Sequence, residues 1–239
     1  MKKAGAVRTL ARATMATVRM AGVTLLATAL YGMAMTVCDK VVYGALDMSD
    51  LSGASNQTET VRVILSLFGL QLGVEVFLGP IIAALAIYVG RHTVGNDQSP
   101  SVYGGINFAM NRYRNLLIPH AVAWLSIWMG MIIIVPGILF LLQYAFVDAV
   151  ACTEKEGGPL SRSKRLTRGR RRTLFFIMLP WLVISQAASL FQLWAMSQTV
   201  WLMLFGNMLL GLVVFVTFIA FYLVYDERTR PKGAAVKSG

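Results

Sequence analysis

Residues 116–152 read LLIPHAVAWLSIWMGMIIIVPGILFLLQYAFVDAVAC, and residues 153–173 follow as TEKEGGPLSRSKRLTRGRRRT. The first stretch is far longer than the ~20 apolar residues that cross a bilayer once. It is therefore either one long kinked helix or a hairpin of two shorter spans folded at Pro136-Gly137. The second stretch decides between them. It carries eight cations (Lys155, Arg162, Lys164, Arg165, Arg168, Arg170, Arg171 and Arg172) against Glu154 and Glu156. A single crossing would leave this cluster on the outer side, against the strong tendency of Lys and Arg to remain cytoplasmic. A hairpin is predicted, with spans at 116–135 and 138–152, the second short enough to be partly re-entrant.

The same reasoning extends in both directions. Towards the N-terminus, residues 63–90 form a long apolar run with a bending point at Gly79-Pro80. Before it lies a polar, acidic stretch, 39–60, with Lys40 as its one cation until Arg62, suited to the outer side. Residues 20–38 make a first span, read as uncleaved because a long basic region precedes it and no small-residue cleavage site fits. Towards the C-terminus, spans at 174–194 and 200–225 are joined by a short polar link at Ser197, Gln198 and Thr199. Trp194 and Trp201 bracket that link, as aromatics at a membrane boundary do.

Every Lys and Arg except Lys40 and Arg62 then falls in one of four inner segments, 1–19, 91–115, 153–173 and 226–239. The predicted fold class is all-α: a single polytopic membrane domain over 1–239, a bundle of six transmembrane helices with both termini cytoplasmic. Basic segments at about 7–19, 101–114 and 159–172 each precede a pair of spans, so the chain reads as three units of amphipathic helix plus hairpin, or simply as a series of hairpins with basic inner loops. In the first segment Val7, Leu10, Ala11, Met15 and Val18 recur at helical spacing, a basic amphipathic helix at the membrane surface.

Composition agrees with this reading. Hydrophobic residues are 56% of the chain, charged residues 14%, and the formal charge is +11. A soluble domain carries about 25% charged residues. The positive excess points to anionic lipid at the inner face and away from nucleic acid. Cys38 and Cys152 fall at opposite faces, so no disulfide between them is expected.

Several polar residues lie inside the spans. Glu75 sits near the middle of span two and Asp148 towards the inner end of span four, where a charge costs at least about 2.5 kcal/mol unless paired or wetted. Gln71 lies one turn from Glu75, and Gly69 and Gly73 leave room there for a neighbouring helix. Ser185, Ser189 and Gln192 line one face of span five, and Gln143 and Asn207 add polar groups in spans four and six. These groups could form a path for a proton or cation, or serve as hydrogen-bonding glue between helices. A second candidate is the run Arg162, Lys164, Arg165, Arg168, Arg170, Arg171 and Arg172, which suits lipid head groups at about 1 kcal/mol per cation.

No catalytic or cofactor pattern is found: no Cys/His metal spacing, nucleophile elbow, P-loop or dinucleotide fingerprint. His92 and His120 fall at inner boundaries, His120 reading as an interfacial residue. The expectation is a non-enzymatic inner-membrane protein, without cofactor, engaging anionic lipid or a partner in envelope organisation. The alternatives are a small transporter or channel using Glu75 and Asp148, and an accessory subunit or homo-oligomer packing through Gly69 and Gly73.

The chain also resembles a known group. Val135-Pro136-Gly137-Ile138, Gln143-Tyr144, Glu156-Gly157-Gly158-Pro159-Leu160, Arg162-Ser163 and Leu166-Thr167-Arg168-Gly169-Arg170 look like motifs of the bacterial polytopic membrane proteins of the YciC type. They also look like the membrane domain attached to some glycerophosphoryl diester phosphodiesterases. The resemblance covers about residues 100–180. It implies an all-helical, six-span bacterial membrane protein and carries over no enzymatic residue, since no phosphodiesterase domain is present.

Overall fold

A computed structural model describes residues 2–44, 57–95, 100–154, 158–195 and 199–230. Among these the chain is helical, without strands. The helices are α1 (Lys2–Arg19), α2 (Ala21–Gly44), α3 (Gln57–Gly95), α4 (Val102–Met131), α5 (Val135–Tyr144), α6 (Val147–Thr153), α7 (Pro159–Thr167), α8 (Arg171–Ala195) and α9 (Val200–Thr229). Among the described residues four helical stretches are long and apolar enough to cross a membrane, Ala21–Val41, Gly69–Gly95, Val135–Thr153 and Val200–Thr229, and the expected spans at 116–135 and 174–194 are not among them.

Helix α3 is the central post. Its run Ile82–Val89 is buried on every face, as an all-round apolar helix must be inside a bundle. Around it pack α1, α2, α4, α6 and α9. Helices α2 and α9 form the most extensive helix pair, closing over Gly32, where any Cβ would strike Met208, and over Gly211, where it would meet Tyr31. Small residues at such crossings let backbones approach closely.

The N-terminal helix has two faces. Ala6, Ala13, Ala16 and Thr17 are buried, in a helix that packs on α8 and α9. Val7, Met15 and Val18 are 67%, 63% and 73% exposed and Ala11 is exposed with them, whereas Leu10, expected on the same stripe, is half-buried against the core. The chain passes from α1 into α2 through a bend at Met20, where the Thr24 hydroxyl donates to the Thr17 carbonyl at 3.1 Å.

Three expected boundaries change. Residues 39–44 continue α2 rather than opening the outer loop, because the Asp39 carboxylate is buried against an amide donor, Asn207 Nδ2, at 2.9 Å. Residues 102–131 form one helix, so the basic segment before the expected third span is not a separate surface helix. Its start is fixed by Ser101, whose hydroxyl accepts from the Gly104 N–H at 2.9 Å, a standard N-cap. The expected fourth span breaks into α5 and α6 at Ala145-Phe146. The polar link at Ser197 and Gln198 and the tail beyond Arg230 lie outside the described residues.

The expected hairpin at Pro136-Gly137 is present. Helices α4 and α5 pack together, and a Cβ on Gly130 or Gly137 would strike the opposite backbone. The turn between them holds Ile134 at φ 56°, ψ −62°, with the Val135 N–H reaching back to the Ile133 carbonyl. That is a γ-turn in its strained form.

Candidate functional site

Two polar groupings stand out, one inside the bundle and one at the end where the basic segments gather. The inner grouping begins with His120, which the sequence places at an interface. It is instead fully buried, with 0% exposure. Its Nδ1 donates to Asp148 Oδ1 at 2.9 Å, so α4 and α6 are joined by a charge-assisted bond in an apolar setting. The ring lies against Gly79 on α3, where a Cβ would overlap it. Nε2 is buried and forms no hydrogen bond among the described residues. Pro80 follows at once, and proline leaves a helix carbonyl one turn back without its usual N–H partner.

Glu75 lies one turn before Gly79 and is half-buried. Its Oε1 accepts from the Tyr31 hydroxyl at 2.8 Å. Neither acid singled out in the sequence stands alone, and they do not pair with each other: Glu75 is held by α2 and Asp148 by α4. Gln71 is half-buried one turn away on α3. Gln143 contributes a backbone carbonyl to a different cluster, at the basic end. The side chains of Ser185, Ser189 and Gln192 lie outside those described. A Cβ added to Gly69 or Gly73 would meet no atom within 4 Å. These glycines face an apolar groove of about 680 Å³ beside Cys38, Val74 and Phe77, and no described helix closes on them.

A third small cluster, not anticipated as a unit, links α2 to α9: Asn207 Nδ2 donates to Thr36 Oγ1 at 3.0 Å and to Asp39 Oδ2. Cys38 and Cys152 are both free and buried.

At the basic end, the seven cations proposed for lipid contact divide into distinct roles. Arg162 Nε donates to both Glu154 oxygens at 3.2 and 3.0 Å, and the same carboxylate accepts from the Tyr225 hydroxyl at 3.0 Å. Arg170 reaches Glu227 at 3.5 Å. Arg171 is half-buried. Lys164, Arg165, Arg168 and Arg172 are exposed and form no ion pair among the described residues.

Ser163 anchors this arrangement. Its hydroxyl donates to the Gln143 carbonyl at 2.8 Å and accepts from the Phe146 N–H at 3.2 Å, serving both backbone ends of the α5–α6 break. With Leu166 and Thr167 it forms the buried face of α7, which turns Lys164, Arg165 and Arg168 outward. The Arg162-Ser163 pair noted in the sequence is thus a clamp, one residue on an ion pair and the other on a helix break.

Comparison with known proteins adds no relative: no family model, curated protein or solved structure matches the chain.

Proposed function

We propose that this chain is a six-span protein of the bacterial cytoplasmic membrane, with both termini cytoplasmic, whose basic inner face engages anionic lipid without catalysing a reaction. The observation that carries the proposal is the outward row Lys164, Arg165, Arg168 and Arg172, free of ion pairs among the described residues, beside a helix clamped to the bundle by Ser163 and Arg162. Charges already neutralised by Glu154 or Glu227 have little left to offer a head group, whereas unpaired exposed cations next to a span each contribute about 1 kcal/mol towards an anionic surface. This attraction weakens as salt is added.

The test is lipid enrichment around the protein reconstituted in vesicles of mixed phosphatidylcholine and labelled phosphatidylglycerol, read by energy transfer from tryptophan. The wild type enriches phosphatidylglycerol. Replacing the four exposed cations by Gln brings the enrichment close to parity, and an unchanged enrichment overturns the proposal.

A second reading, a small transporter or channel, draws support from the His120–Asp148 pair and the nearby Glu75, since ionisable groups inside a bundle are costly and often mark ion routes. Glu75→Gln then abolishes pH-dependent uptake in reconstituted vesicles, and uptake equal to wild type removes Glu75 from any such route.

A further inference from the structure

A separate cavity of about 540 Å³ lies where α1 crosses the ends of α3 and α9. Its charged lining is Arg12, Arg19, Arg230, Asp226 and Glu227. Asp226 is engaged by Arg230 at 3.1 Å and Glu227 by Arg170 at 3.5 Å. Arg12 and Arg19 form no ion pair among the described residues. Seven residues apart on one helix, they are separated by two turns, about 10.5 Å, a spacing from which two guanidinium groups can reach a common anion. Guanidinium matches phosphate oxygens with paired N–H donors. Thr9 and Thr93 complete the wall, their hydroxyls donating to the Gly5 and Val89 carbonyls of their own helices, which leaves the arginines as the donors for an anion.

The cavity is not closed off from apolar surface. Met15 both lines it and is 63% exposed, and Val18 continues the same stripe of α1. A ligand bound there has a place for an anionic head and, directly beside it, an apolar track for a tail. A free phosphate ion would use only the first of these features.

We infer that this cavity holds the phosphodiester head group of one glycerophospholipid, gripped by Arg12 and Arg19, with its acyl chains running along Met15 and Val18. The inference rests on the membrane reading above but not on the exposed row at α7, which lies on other helices. The site is selective for one molecule in a cavity, whereas the α7 row collects anionic lipid at a surface.

The experiment is native mass spectrometry of the full-length protein extracted with its own lipids. The wild type retains one phospholipid per chain. Arg12→Gln with Arg19→Gln lowers that retention about thirtyfold, from about fivefold per cation. Thr9→Trp, which fills the cavity and leaves the charge unchanged, also loses the lipid, so the outcome does not depend on the arginine variant alone. The variant with Lys164, Arg165, Arg168 and Arg172 replaced by Gln keeps it. Retention unchanged in both cavity variants overturns the inference, as does loss of the lipid in the α7 variant alone. An adduct of inorganic phosphate with no lipid, formed when phosphate is added, likewise overturns it in favour of a soluble-anion site.

Discussion

Asp148 and His120 are 28 residues apart in the chain and 2.9 Å apart in the fold. Removing one partner of such a buried pair leaves the other uncompensated, at a cost of about 3 to 5 kcal/mol. Asp148→Ala is therefore expected to lower the thermal midpoint in detergent sharply, and Asp148→Asn, which keeps an acceptor for Nδ1, much less. Equal losses would contradict the pairing. Ser163→Ala is expected to cost about 1 to 3 kcal/mol, because it leaves the buried Phe146 N–H and the Gln143 carbonyl without their shared partner. The same denaturation experiment checks it, and a midpoint equal to wild type would mean the α5–α6 break needs no clamp. At this scale the sequence is least informative. Glu75 and Asp148 are visible as acids in apolar runs, but Tyr31, Asp39 and His120 gain their roles only from residues on other helices, and no periodicity along one helix can disclose them.

Helices are legible where hydropathy and punctuation agree. The α4–α5 hairpin follows from Pro136-Gly137 and from the charge that comes after it. Its turn contains a residue type poorly suited to it: Ile134 is β-branched and holds a positive φ, a conformation glycine adopts at little cost. Ile134 is 66% exposed, so little packing is at stake. Ile134→Gly is expected to raise stability by about 1 kcal/mol, seen as a higher thermal midpoint; a lower one would show that the side chain contributes more than its strained backbone removes. Gly137→Val should do the reverse, since its Cβ would meet the backbone of Met131 and backbone cannot step aside. The boundaries that the sequence misplaces have one shared cause. Asp39 looks like loop because it is charged, and residues 101–114 look like a surface helix because they are basic, yet each continues a helix once a partner such as Asn207 or a cap such as Ser101 is supplied by the fold.

For the whole molecule, the organising quantity is the distribution of charge. Lys and Arg crowd one end of the bundle, where α1 meets the ends of α3 and α9 and the turn after α7 reaches α9 through Arg170 and Glu227, and this end is readable from the sequence because the positive-inside tendency acts on local composition rather than on tertiary contacts. How the cations share their work is not readable there, since it depends on whether Glu154, Asp226 and Glu227 reach them. A cytoplasmic basic face is the premise on which the lipid readings stand, and the sidedness of the chain in intact cells probes it without intermediaries. With Cys38 and Cys152 replaced by Ser, single cysteines are introduced at Ser52, Ser161, Ser197 and Ser238 and probed with a membrane-impermeant maleimide. Ser52→Cys and Ser197→Cys are expected to label in intact cells, and Ser161→Cys and Ser238→Cys only after the membrane is opened. Labelling of Ser161→Cys from outside would put the basic face on the wrong side of the membrane and remove the ground for both lipid sites.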